Sequence, residues 1–354
     1  MNNSTPACAI PNDPARDTPS RCTESSVCQN PFLASQVGLV SVSKSPPIPR
    51  LSIVIPIGRD LAAFESTLIS VLENSVLGCE VLVCHDGSYT DPFELGDEVR
   101  FVVADSAHPL DLISAGASQS RGRFVHVLSD GIQATSGWTE AALEKFEHYD
   151  CGVVAPVIRH VTDGKIVSAG WCDGVDRLCK SASQGRVSLE ASATRQLGAH
   201  LQASFWRREL ICSLSDAFTS NDCLEASYAF HHLAFQAGWR CCLASESNLS
   251  YTNDSLPWDE SSLGRGLRTQ CIKNYFSRGG WARSTSAAIA AVLSSLTRPG
   301  QISEAIGRGL APSVSGSLLE RLHADEVTSC DQHEMIVSMP RRDKPIQQTQ
   351  RRAA

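Results

Sequence analysis

The sequence predicts an α/β fold: a doubly wound, mostly parallel sheet with helices on both faces, followed by a C-terminal helical extension. Three observations predict it. Short apolar, β-branched runs recur between residues 51 and 156. Helix-periodic segments separate them, and several runs end in a turn bearing Pro, Gly or Asp. Strands that alternate with helices at this spacing pair in parallel and are covered on both faces.

Leu51-Ser52-Ile53-Val54-Ile55-Pro56 is a buried-strand run stopped by proline. Residues 60–75 place Leu61, Phe64, Leu68, Val71 and Leu72 on one helical stripe behind Asp60, a side chain suited to an N-cap. Glu80 to Cys84 forms the second strand, with His85-Asp86-Gly87-Ser88 as its turn. Arg100 to Ala104 is the third strand and Leu110 to Ser120 a helix. Phe124 to Leu128 is the fourth strand, ending at Ser129-Asp130-Gly131. Gly137 to Glu140 opens another helix, and Gly152 to Pro156 is the fifth strand.

Composition narrows the function. The chain has 354 residues, enough for a core without staples. Its 31 basic and 38 acidic side chains give −7, so no chain-wide basic footprint for nucleic acid exists. The longest small-apolar stretch, Ser284 to Leu296, is broken by serines and is too short to span a bilayer. The 14 cysteines contain no CxxC pair, and several sit in strand-like runs, where a reduced cysteine acts as a small buried hydrophobe. With no secretory signal and no disulfide pattern, the expectation is a cytoplasmic protein, with a place peripheral to the inner face of the membrane as the alternative.

The expected organisation is a disordered leader over 1–49, rich in Ser, Pro, Asn and Thr. A catalytic-type domain follows over 50–256, then a helical extension over 257–322 and a flexible tail over 323–354. In the extension, Arg265, Arg268, Lys273 and Arg278 are grouped with Tyr275, Phe276 and Trp281. Such a group either docks an anionic acceptor or membrane surface, or belongs to an amphipathic helix with its charges in water.

Ligands of open parallel sheets bind beyond the carboxyl ends of the strands. That rule selects Pro56–Arg59, His85–Ser88 and Ser129–Gly131. An Asp-Gly after a strand is by itself an ordinary turn-former. Two at one edge also suit a nucleotide diphosphate, with one carboxylate on the base or ribose and the other on a divalent cation. A dinucleotide-binding GxGxxG is absent after the first strand, which reads PIGRD, and no Walker loop occurs.

The residues resemble the family 2 nucleotide-sugar glycosyltransferases, which have the GT-A fold. LSIVIPIGRDLAAFESTLISVLENS is similar to the family's opening strand, proline and first helix. EVLVCHDGSYTDP resembles its strand with D-D-G-S-x-D, and SAGASQSRGRFVHVLSDGIQATSGWTEAAL its N-x-G-x-x-x-A-x-G, metal-binding D-x-D and G-W. Further on, AHLQASFWRREL resembles the acceptor-side segment and AFQAGWRCCLASESNLSYTN the A-G-[YW]-R closing strand. The resemblance implies that Pro56 lines the nucleotide pocket, Asp86 binds base or ribose, and Asp130 approaches a divalent cation, Mg or Mn. It implies transfer from a nucleotide-sugar donor to a glycan, lipid or protein acceptor, with inversion. Several positions depart from the pattern: His85 replaces an aspartate, Ser114 an asparagine, the metal motif is Ser129-Asp130-Gly131, and the histidine often found after the closing strand is missing, with Tyr251 and Thr252 nearby. The base position falls on Ala226 to Ala229, leaving Asp222 or Glu225 as the nearest acids. Asp222 also suits an N-cap.

Two other readings follow from the same residues. One is a degenerate module that binds nucleotide-sugar or a protein partner without turnover. The other is a zinc or redox protein, for which His231-His232 is the only histidine pair; side chains adjacent on a helix point about 100° apart, which does not suit one ion.

Overall fold

The computed structural model describes residues 48–75, 78–96, 98–174, 176–189, 197–220, 222–277, 289, 293, 299–319 and 327–330, without the side chains of 312–319. The leader before residue 48, most of the 323–354 tail, Arg278, Trp281 and most of Ser284–Leu296 lie outside the described residues.

The chain opens with β1 (Leu51–Pro56), α1 (Leu61–Asn74), β2 (Cys79–His85), β3 (Val99–Val103), α2 (Pro109–Gln119) and β4 (Phe124–Leu128). It continues with β5 (Gln133–Ala134), α3 (Glu140–Lys145), β6 (Cys151–His160), β7 (Ile166–Ser168), β8 (Trp171–Cys172) and β9 (Lys180–Ser181). It closes with β10 (Ala203–Arg207), α4 (Arg208–Ala217), α5 (Cys223–Gln236), β11 (Arg240–Tyr251), α6 (Leu263–Phe276) and α7 (Ile302–Leu319).

Nine strands form one sheet in the order β3-β2-β1-β4-β10-β6-β11-β5, with β7 on β6; β8 and β9 form a separate hairpin. β1, β2, β3 and β4 run parallel, as do β6 and β11. β10 is antiparallel to both β4 and β6, so those two point the same way and the sheet is mostly parallel. Residues alternate between faces along β1: Leu51, Ile53 and Ile55 join one core with Phe64, Leu68 and Trp138, and Val54 joins the other with Leu112, Ile113 and Ile211. α1 and α3 cover the first face, and α2, α4 and α5 the second.

Asp60 caps α1, its carboxylate accepting from the Ala63 amide at 3.1 Å. Phe64, Leu68 and Val71 are buried as the stripe predicts, whereas Leu72 is half-buried and Leu61 exposed. The central antiparallel β10 was not legible as a strand. It arises in the AHLQASFWRREL segment, where Ser129 N donates to Gln202 O at 2.9 Å and extends the ladder to β4. Arg207 and Arg208, at its far end, bind carbonyls: Arg207 Nε reaches Cys151 O at 2.8 Å and Arg208 Nη1 reaches Ser120 O at 3.0 Å. This part of the acceptor-like segment therefore lies at the amino edge and serves the fold.

α6 and α7 meet backbone to backbone. A Cβ on Gly266 would overlap the Glu304 carbonyl, and one on Gly307 the Leu263 carbonyl, so only glycine permits this approach. Of the group expected on one reading to stand in water, Arg265 is buried, and Arg268 and Lys273 are half-buried and pair with Asp222 and Asp173. Arg265, Glu304 and Arg308 are buried. Arg265 pairs with Glu304, Arg177 Nε reaches Glu304 Oε2 at 3.0 Å, and Arg265 Nη2 donates to Cys179 O at 2.7 Å. Paired and hydrogen-bonded in this way, the charges tolerate burial.

Candidate functional site

The parallel strands deliver their following loops to one edge, as parallel topology requires. Pro56 closes β1 opposite Cys84, and Ile57 N donates to Cys84 O at 2.9 Å. Val54 pairs with Val127 of β4. Asp86 therefore lies two residues beyond Cys84 on one side of the β1 exit, and Asp130 three residues beyond Val127 on the other. β1 alone separates their strands, a span of about 10 Å between the outer two. Both aspartates flank the Ile57–Asp60 loop at the carboxyl edge.

The two are held differently. Asp86 is exposed in an Asx turn, its Oδ1 accepting from the Ser88 hydroxyl at 2.5 Å and the Ser88 amide at 3.0 Å. The Ser88 hydroxyl, and then its amide, hold the Asp86 carboxyl below the ordinary range. Gly87 follows with φ +91°, the left-handed turn conformation that Asp-Gly predicts. Beneath the turn, buried His85 accepts from Gly87 N at 3.1 Å, and Tyr89 stacks on Phe101 at 6.0 Å between centroids.

Asp130 is half-buried. Burial pushes its carboxyl up, and the charge of nearby Asp60 adds to the shift. A Cβ on Gly58 would overlap the Asp130 carboxylate, so the PIGRD loop lies directly on it. Gly131 N donates to Ala63 O at 3.3 Å, which fixes the turn against α1. Tyr251, at the end of β11, packs against Gly131, and its register partner is His160. His160 Nε2 lies 2.9 Å from Thr252 O and Nδ1 3.1 Å from Asp163 Oδ1. A histidine thus stands beside the end of the closing strand, supplied by β6.

Asp222 and Glu225 sit at the N-terminal end of α5. That end faces the carboxyl edge, since Leu201 N, just before β10, donates to Ser227 Oγ at 2.8 Å, whereas the other end feeds Arg240 to the amino edge beside Cys151. Asp222 caps α5, accepting from Leu224 N at 2.9 Å and Glu225 N at 3.3 Å, and pairs with Arg268. Glu225 is buried, accepts from Ser220 Oγ at 2.7 Å and lies 3.5 Å from Arg268 Nε. The structure thus brings Pro56, Asp86 and Asp130 to one edge, and commits Asp222 and Glu225 to Arg268 under α6.

Sequence reasoning left two contacts of the candidate site unread. Asp60 had the signature of a cap alone, yet its charge also acts on Asp130. Gly58 offered only a loop glycine, and its close approach became visible with the fold.

His231 packs on Trp171 at 4.8 Å and His232 stacks on Phe276 at 5.1 Å. No group of three or more His, Cys, Asp or Glu side chains able to hold a metal occurs among the described residues. Asp130 with Asp60 beside it fits only a cation that brings further oxygen ligands from phosphates, the mode in which Mg is usually held.

No family model matches the sequence, and no curated protein does. Among solved structures the chain is similar to GalNAc-T7 with UDP, GalNAc and Mn2+, at 12% identity over 83% of this chain and TM-score 0.47. It spans only 57% of that structure's chain. It is also similar to S. aureus TarS 1-349 in complex with UDP, at 11% identity over 78% of this chain and 76% of the other, TM-score 0.45. A third is the mannosyltransferase PcManGT from Pyrobaculum calidifontis in complex with GDP-Man and Mn2+, at 13% identity over 77% and 79%, TM-score 0.42.

Proposed function

We propose that the chain is a nucleotide-sugar glycosyltransferase of family 2 type, built on a GT-A domain over residues 50–256 with its helical extension over 257–322. The observation that carries the reading is the placement of Asp86 and Asp130 on either side of the β1 exit, with Gly58 laid against the Asp130 carboxylate. Pro56 and the PIGRD loop line the pocket. Asp86 binds the base or ribose, and Asp130 faces the diphosphate. A divalent cation held there would neutralise charge on the leaving diphosphate. The chain's own contribution is to orient the donor and to keep the Asp130 carboxylate partly out of bulk water, so that its interactions are stronger.

The acceptor hydroxyl attacks the anomeric carbon with inversion, breaking its bond to the nucleoside diphosphate, as a carboxylate base takes the hydroxyl proton. Asp222 and Glu225 are the candidates, and either must leave Arg268 to act. That engagement favours a second reading, a module that binds the donor without turnover. Release of free sugar from a bound donor separates the two, because only the enzyme produces it.

Calorimetry with UDP- and GDP-sugars, with and without Mn, tests the site against Asp130→Asn. Expected is metal-dependent donor binding that falls by about 100-fold in the variant, the scale of losing one charge-stabilising group. Asp130→Asn should at the same time melt higher at neutral pH. A carboxyl raised in the fold favours the protonated form, so its ionisation costs stability as pH rises through the folded pKa, and Asn removes that cost. The gain should vanish below the unfolded carboxylate value, near pH 3.9. No binding of any donor, or equal binding by the variant, overturns the reading.

A further inference from the structure

β6 and β11 run side by side from the amino edge, and each opens with a cysteine turned into the same core. In their register Arg240 pairs with Cys151, Cys241 with Val153 and Cys242 with Val154, so a bulge at Gly152 skips one residue of β6. A one-residue shift moves a side chain to the other face of the sheet. Val153 and Cys241 accordingly face the core under α2, α4 and α5, whereas Cys151, Val154 and Cys242 face the core under α1 and α3. Without the bulge Cys151 would share the face of Val153, away from Cys242. Packing holds glycine at the bulge, since a Cβ on Gly152 would overlap Leu210 Cδ2 and Trp239 Cβ.

The two thiols differ in kind. Neither is in a disulfide, and their side chains hydrogen-bond to each other. Cys151 is fully buried, and its Sγ also reaches Val153 O at 3.5 Å. The hydrogen bond to Cys242, and then burial, push the Cys151 thiol up. Cys242 is half-buried. The same hydrogen bond does most to hold the Cys242 thiol below its ordinary value; burial opposes it, and the Arg240 guanidinium adds to it. A lowered, accessible thiol beside a protonated one is the arrangement of an attacking and a resolving cysteine. Cys241 cannot stand in for Cys151, because neighbouring side chains on a strand point to opposite faces.

We propose that Cys242 and Cys151 form a peroxide-reactive dithiol that closes into a disulfide between β11 and β6. The Cys242 thiolate attacks one oxygen of hydrogen peroxide and the O–O bond breaks. Hydroxide leaves, recovers the proton that Cys242 gave up and becomes water, while the sulfur is oxidised to a sulfenic acid. Cys151 then attacks that sulfur. An S–S bond forms, the S–O bond breaks, and the Cys151 proton leaves with the hydroxyl as a second water. The pair lies at the amino edge, so the inference stands apart from the donor site.

The full chain, freshly reduced, is treated at neutral pH with an equimolar amount of hydrogen peroxide and digested without reductant. Expected is a pair of peptides joined through Cys151 and Cys242 that separates on reduction. In Cys151→Ala the sulfenic acid should persist, so that dimedone labels Cys242; in Cys242→Ala dimedone should leave Cys151 unlabelled. Iodoacetamide should alkylate Cys242 at least about tenfold faster than Cys241, as a more ionised thiol requires. Treated wild-type protein without the link, a link that forms only in urea, dimedone that prefers Cys241, or equal alkylation of the two overturns the proposal. So does a disulfide that joins two copies through Cys242, because Cys151 would then not be its partner.

Discussion

α4 and α7 are both amphipathic helices of the same chain, and they face opposite ways. α4 buries Leu210, Ile211, Leu214 and Ala217 against the sheet and exposes Glu209 and Asp216. α7 buries Glu304 and Arg308 and exposes Ile302, Ile306 and Leu310. The difference lies in what each helix packs on. α4 rests on apolar residues of the sheet and of α2, and burial of its aliphatic side orients it. α7 rests on a polar layer of Arg177, Asp259 and Arg265, where ion pairing and hydrogen bonding decide which side turns in.

The contrast is open to direct attack. The largest expected effect is from Glu304→Ala, which strands two buried arginine contacts. It should cost about 3–5 kcal/mol in urea denaturation, the scale of breaking a buried pair. Asp216→Ala on α4 should stay within about 0.5 kcal/mol, as for an ordinary surface site. Equal effects would mean that the buried charges of α7 do not hold it.

Next in size is a loss of stability in mild acid. Burial holds His126 down at about 3, His200 at about 4, His231 at about 3 and His232 at about 4. The unfolded chain takes up protons near pH 6.5 while the folded one does not, so stability falls as pH drops through that value towards about 4. The urea midpoint should therefore be lower at about pH 5 than at about pH 7.5. His231 and His232 stand on α5 against Trp171 of β8 and Phe276 of α6, so acid loosens the packing of α5 on both. An unchanged midpoint would show these rings to be solvated.

The smallest effect separates a cap from a base. Asp222→Ala should cost about 1 kcal/mol through loss of the α5 cap. If Asp222 also served as base, turnover would collapse well beyond that change in stability. If it only caps the helix, donor turnover should hold while the melting temperature falls.

Much of the site could be read along the chain because its signals are local. A strand run stopped by Pro56, and Asp-Gly turns at Asp86 and Asp130, carry their own geometry in backbone preferences that act over a few residues. β10 was harder, since Ala203–Arg207 becomes a strand only through its partners β4 and β6, and propensity gives way to such context. Asp60 illustrates the same limit: one side chain both caps a helix and bears on Asp130, and only the first role is sequence-local.

The sequence by itself determined the alternation of strand and helix and the acids that reach the carboxyl edge of the sheet. These follow from periodicity and from short-range backbone sterics. Only the tertiary structure decided that Gly58 lies on Asp130, that Arg268 claims Asp222 and Glu225, and that α7 turns its aliphatics outward. Each depends on residues distant in sequence meeting in space, where burial and pairing of charge, rather than local preference, select the arrangement.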